Sequence, residues 1–343
     1  ISDLCASVAL PRFVPVRQSF DRPRIPVPEI PDAVRTCLAR PGTGDTIRPG
    51  MHIAITSGSR GIANIASITR TLVEEVRAKG AHPFIVPAMG SHAGATAEGQ
   101  RAYLERFGIT EVTMGCPVRS SMDTVSLGHT PDGLEVWIDR LAAEADGIIP
   151  VGRIKPHTAF RGPYESGVVK MLVIGLGKQA GADSCHDAGF GALAERLPAY
   201  ARVILDNAPV LFGIALLENA YDETCRIEAL PADRILAEEP ALLEEANTRM
   251  PRILFDPLDV LIVDRIGKNI SGDGMDPNIT GTFMTPFASG GISANRVTVL
   301  DLTPETGGAA LGMGMADTST RRLFDKIDME ETYPNAITCT VLD

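Results

Sequence analysis

Cysteine is scarce and unpatterned in this chain: Cys5, Cys37, Cys116, Cys185, Cys225 and Cys339 are scattered, with no C-x-x-C pair and no short framework spacing. That is the usage of a reduced, cytoplasmic protein rather than a disulfide scaffold. Positive charge is also short. Lys and Arg total 32 against 43 Asp and Glu, a net charge of −11, which argues against a nucleic-acid backbone as partner and leaves local binding of small anions open. The longest apolar runs are too short to span a bilayer, and ISDLCASVALPRF lacks the basic start of a signal peptide, so no membrane partner is expected. Several catalytic signatures are missing too. There is no H-E-x-x-H helix, neither Ser59 in SGSRG nor Ser91 in MGSHAG gives G-x-S-x-G, and Gly177-Lys178 is followed by Gln179, which fails Walker A.

What is present describes an ordinary globular enzyme. Hydrophobic residues make up 44% and charged residues 22%, enough apolar content to bury a core in each of the two domains that 343 residues suggest. The proline- and arginine-rich stretch 11–50 reads as an extended arm and a short helix. MHIAITSGSRG reads as a strand with a small-residue turn, Ile65, Ile68, Leu72 and Val76 lie on one helical face, and HPFIVPAMG reads as a second strand. Thr96 is an N-cap for a helix through Leu104 and Phe107, a TPDG turn at 130–133 separates short strands, and ADGIIPVGRIK carries a buried strand toward His157. Helices are expected over 187–204 and 232–249, with strands between them. The expected fold is α/β: two domains, each with a parallel or mixed sheet flanked by helices, and an active site in the interdomain cleft. The boundary falls after residue 250, giving domains 1–250 and 251–343. The chain ends on ITCTVLD without a closing helix, as if a terminal element lay beyond Asp343.

The richest segment runs from Gly152 to His186. It sets Lys170 in an apolar run (Val168, Val169, Met171, Leu172, Val173) between His157 and His186. A buried ammonium must be paired, neutralised, led to water or covalently used. MLVIGLGKQAG, read as a strand and turn, fits G-x-G-x-x-A at Gly175, Gly177 and Ala180, but the acid about 20 residues on would be Glu195, in mid-helix, which argues against a dinucleotide site. Of six histidines, His52, His82 and His129 read as structural, while His92, His157 and His186 stand in glycine-rich or strand-end settings and are candidates as a set. Arg60 and Lys268 suit carboxylate recognition. Asp273 and Asp276 lack calcium-loop spacing and read as turn residues.

Taken in order, GSRG, MGSHAG, IKPH, Lys170 and His186 resemble the nickel-pincer-nucleotide lactate racemase family (LarA-like proteins) over most of the chain. The resemblance implies a racemase or epimerase of a 2-hydroxy acid. Its cofactor is a pyridinium-3,5-bisthiocarboxylic acid mononucleotide carrying nickel, tethered through a thioamide to a lysine that matches Lys170. A histidine matching His186 ligates nickel, His92 and His157 match the two acid/base catalysts, and Arg60 and Lys268 match the substrate-holding cations. The implied reaction passes hydride to the cofactor while a histidine takes the hydroxyl proton, then returns hydride to the opposite face. Cofactor-making enzymes are the implied partners. The family's Asp-x-Thr-Arg-Pro turn is here Ser57-Gly58-Ser59-Arg60-Gly61, and a longer 158–169 loop adds Arg161, Tyr164 and Glu165 beside the cleft. The cofactor side matches and the substrate side departs, so the expected substrate is a 2-hydroxy acid other than lactate. Two other readings stand beside this one: a zinc hydrolase built on His92, His157 and His186 with Lys170 binding an anion, and a non-catalytic relative that binds a nucleotide.

Overall fold

Alternating apolar strands and amphipathic helices build the first part of the chain. The computed structural model describes residues 6–9, 12–59 and 61–333. After an irregular arm, helix α1 (Ile30–Leu38) leads to β1 (His52–Ser57), α2 (Ile65–Ala78) and β2 (His82–Pro87). Ile68, Leu72 and Val76 of α2 are buried, as their spacing requires, and β2 pairs parallel to β1 in register His52↔His82. Helix α3 (Ala97–Glu105) starts where Thr96 Oγ1 accepts from Gly99 N at 3.0 Å. The hairpin β3 (Thr124–His129) and β4 (Glu135–Asp139) follows, joined through the 130–133 turn.

Strands β5 (Gly147–Ile149) and β6 (Val151–Arg153) are one extended segment broken at Pro150. β5 pairs parallel with β1, and β6 pairs parallel with β7 (Phe212–Glu218), which pairs antiparallel with β8 (Thr224–Pro231). Backbone bonds from Leu211 N to Ile148 O (3.0 Å) and Ile214 N to Pro150 O (2.8 Å) carry the ladder across the break. The result is a mixed sheet in the order β2, β1, β5/β6, β7, β8. Helices α4 (Lys178–His186), α5 (Leu193–Asn207) and α6 (Ile235–Arg249) complete this part. A further parallel sheet, β11 (Thr318–Ser319), β10 (Ala294–Leu302) and β9 (Leu258–Ile266), has its own apolar cluster around Ile266, Val297, Val299 and Leu323.

One sequence expectation is overturned. The run VVKMLVIG is not a strand but a helical turn, Val168–Lys170, continued by a π-helical turn, Met171–Gly175. A short, largely apolar run fits a buried helix as well as a buried strand, and here Val168, Val169, Leu172 and Val173 belong to the main core. Gly175 and Gly177 therefore do not form a strand-to-helix turn, and Glu195 lies within α5, so a dinucleotide fingerprint is absent from this place. No helix among the described residues is long and apolar enough to cross a membrane.

Candidate active site

β1, β2 and β6 run in the same direction, so their C-terminal ends share one edge of the sheet, the edge at which open α/β sheets bind ligands. Ala88 N donates to Ser57 O (2.8 Å), joining the turns that leave β1 and β2, and Gly90 N donates to Gly175 O (3.1 Å), joining the second turn to the π-helical segment. That approach needs glycine at Gly90: its φ is +57°, and a Cβ there would lie 3.1 Å from Ile174 O. At this edge Ser59 Oγ and His92 Nδ1 are 2.5 Å apart. Ser57, where the resembled family has a carboxylate, is buried, and its Oγ has no hydrogen-bond partner among the described residues.

His157, His186 and Lys170 come together from three elements. The rings of His157 and His186 lie 6.2 and 6.1 Å from the ring of Phe190. His186 Nδ1 lies 2.7 Å from Ala182 O. A carbonyl only accepts, so Nδ1 carries the proton and Nε2 keeps its lone pair, the tautomer of an oriented metal ligand. Burial holds the His186 pKa below its usual value, against the pull of the Ala182 carbonyl and with help from the nearby Lys170 charge. His157 is oriented differently: its Nδ1 accepts from Ala159 N at 3.1 Å, which places the proton of the neutral ring on Nε2.

The His157 backbone is clamped on both sides. Its N–H donates to Glu165 Oε2 (2.6 Å), and its carbonyl accepts from Arg161 Nη1 (2.7 Å) and Asn278 Nδ2 (3.3 Å). Arg161 also donates through Nε to Ser289 O (3.1 Å), through Nη2 to Asn278 Oδ1, and through Nη1 to Glu165 Oε2 (3.4 Å). Lys155 Nζ pairs with Asp276 Oδ2 at 3.0 Å, and Asp276 Oδ1 caps the Pro277–Thr280 turn through Asn278 N at 3.0 Å, which is the turn role expected of it. The 276–289 segment is thus stapled to the His157 loop. Burial raises the Glu165 carboxyl above its usual range, opposed by the N–H groups of His157 and Gly162 and by Arg161.

The side chains of the longer loop are engaged within the protein. Arg161 and Glu165 are consumed internally, and the Tyr164 hydroxyl donates to Leu236 O on α6. A second correction concerns the lysines. Lys170 is partly exposed at the end of its turn, whereas Lys178, which drew no attention in the sequence beyond the failed Walker pattern, is wholly buried. Lys178 Nζ donates to Pro87 O (2.5 Å) and Gln100 Oε1 (3.1 Å) and pairs with Asp139 Oδ2 (3.1 Å). Two hydrogen bonds and an ion pair hold the Lys178 ammonium, and Asp139 Oδ2 is a buried oxygen that meets it outside hydrogen-bond geometry. Burial lowers the Lys178 pKa and raises that of Asp139, each opposed by its partner's charge.

A buried Glu239 from α6 was also missed. It accepts from Val169 N at 3.0 Å and from Val168 N, capping the turn that presents Lys170. Burial pushes its carboxyl up to about 8. Arg60 lies outside the described residues. Lys268 follows β9, with its N–H donating to Thr306 Oγ1 at 3.3 Å. Among the described residues no three His, Cys, Asp or Glu side chains converge as a metal-ligand set, so His92, His157 and His186 do not form the three-ligand zinc site of the hydrolase reading.

Comparison with known proteins bears on the family and the fold. The family model described as the lactate racemase N-terminal domain matches residues 17–195. Among solved structures, a Thermotoga maritima protein is similar with a TM-score of 0.57 at 13% identity, over 82% of this chain and 72% of that one. The lactate racemase apoprotein from Thermoanaerobacterium thermosaccharolyticum is similar with a TM-score of 0.51 at 18% identity, over 79% of this chain and 67% of that one. At such identities the likeness is one of fold. No curated protein matches the chain.

Proposed function

The chain belongs to the family of the lactate racemase N-terminal domain, and from that premise we propose that it is an isomerase that inverts the hydroxyl-bearing carbon of a 2-hydroxy acid. The observation that carries the reading is that His157 and His186 both lie about 6 Å from the Phe190 ring, with the Lys170 charge acting on His186, while Ser59 meets His92.

The residues present fit a lysine-tethered nickel-pincer nucleotide. Lys170 is the partly exposed amine, His186 is a half-buried imidazole whose Nε2 is left as the ligand atom, and Ser57 Oγ, at the end of β1, is a buried polar atom without a hydrogen-bond partner among the described residues. When bound, this group supplies the hydride-accepting centre that a carbon acid as weak as a 2-hydroxy acid requires. The protein handles the protons. With the Nδ1 proton resting on Ser59 Oγ, His92 offers Nε2 as the base for the substrate hydroxyl. His157 offers an Nε2–H donor, and it becomes a base only when its proton moves to Nδ1 and the bond from Ala159 N is given up. The two histidines are therefore unequal in their resting tautomers. Arg60 and Lys268 are the cations assigned to the substrate carboxylate. Because the rim departs from the family at Ser57 and Gly61, the substrate is a 2-hydroxy acid other than lactate.

The test is to incubate protein made alongside the cofactor-producing enzymes with a panel of chiral 2-hydroxy acids in deuterated and ordinary water. Inversion of at least one acid, with its Cα hydrogen retained in early turnovers, supports the reading. Binding of the group without inversion of any acid in the panel refutes it and favours a non-catalytic relative.

A further inference from the structure

Behind that edge of the sheet lies a polar junction that the proposed chemistry does not use. Lys178 opens α4, the helix that ends in His186, and it does so at φ +54°, a left-handed conformation that is strained for a non-glycine residue. Its side chain is completely buried and its three oxygen partners come from three other places. Pro87 O ends β2, immediately before the turn that carries His92. Asp139 ends β4; its Oδ1 accepts from Ala142 N (2.9 Å) and its N–H donates to Leu176 O (2.7 Å), beside the π-helical turn. Gln100 belongs to α3, and with Oε1 committed to Lys178 its Nε2 donates to Gly90 O (2.8 Å) and His92 O (3.4 Å).

A buried charge pair is weak evidence for stability, because desolvation offsets most of the attraction, so its presence at a junction of three elements calls for another account. We propose that Lys178 is a positioning residue: with Asp139 and Gln100 as its arms, it fixes the His92 turn relative to the helix that bears His186. The chain of contacts is continuous from the first residue of α4 to the carbonyls of Gly90 and His92, and Lys178, Asp139 and Gln100 are all buried. The inference rests on the roles given above to His92 and His186, but its geometry and its test do not.

Two variants of the full chain test it. Lys178→Met with Asp139→Asn removes both charges together, so neither is left buried and unpaired. Gln100→Met cuts only the relay to the His92 turn. The readout is carbethoxylation of individual histidines in the protein without cofactor, followed by peptide mass spectrometry across pH, with hydrogen exchange over residues 87–95. Both folded variants should change the His92 modification rate by at least about fivefold and speed exchange over 87–95 by at least about tenfold, while the exposed His52 reacts as before. In loaded protein kcat should fall at least about tenfold with KM within about threefold. Wild-type His92 reactivity in either folded variant overturns the proposal, and if the double variant does not fold, Gln100→Met decides alone. Failure of the isomerase reading looks different: loaded wild-type protein inverts nothing, yet His92 reactivity still responds to the variants.

Discussion

Glu239→Gln should turn a pH-dependent fold into a much less pH-dependent one. Glu239 is buried against Val168 and Val169, and its carboxyl is pushed from 4.5 to about 8. The folded protein therefore keeps a proton that the unfolded chain loses near 4.5. Stability is fully present below 4.5, is lost as pH rises, and stops changing above about 8. A displacement of that size corresponds to about 5 kcal/mol at about 1.4 kcal/mol per pH unit. Domains are typically stable by only about 5–15 kcal/mol, so the effect is large. The glutamine amide retains an oxygen for Val169 N–H and cannot ionise. Urea unfolding followed through the single tryptophan, Trp137, at several pH values between 5 and 9 gives the difference between variant and wild type, in which all other titrating groups cancel. That difference should grow in favour of the variant by up to about 5 kcal/mol from pH 5 to pH 9. A difference that stays constant over this range refutes the reasoning, because it means that Glu239 titrates at its ordinary value in the folded protein.

Further outcomes follow from the site. His186→Ala should lose bound nickel, measured by elemental analysis, while the organic adduct on Lys170 persists in the intact mass. His92→Ala should keep both adduct and nickel and lose at least about a hundredfold in turnover, in the range expected for a general base. Arg161→Ala removes the guanidinium that joins His157 O to Ser289 O and Asn278, and should lower the unfolding midpoint and reduce kcat more than it raises KM. Wild-type kinetics in that variant would show that the staple does not position His157.

Much of the parallel core was legible in the sequence because period and punctuation agree there. The Ile65 to Val76 face, the alternation of β1 and β2 with α2, and the Thr96 cap each follow from local rules and each occurs. His157 and His186, candidates by their settings in the sequence, both lie about 6 Å from the Phe190 ring, a residue that the sequence did not single out. The helical state of 168–175 was not, because an apolar run eight residues long carries no period that separates a buried strand from a buried helix. Lys178 escaped notice for another reason. Its environment is made by Pro87, Gln100 and Asp139, none of them near in sequence, and a lysine after glycines looks like a turn residue until those oxygens surround it. The partners of Arg161 were not legible, because Asn278 and Ser289 lie in a distant segment.

The assignment of Lys170 as the covalent anchor bears the most weight, and intact mass is its direct measure. Wild-type protein and Lys170→Ala, each produced with the cofactor-making enzymes, would be weighed whole and after digestion. The account predicts a nucleotide-sized adduct on the peptide containing Lys170 in the wild type and none in the folded variant. An unchanged adduct in Lys170→Ala, or one mapped to Lys178, would contradict it.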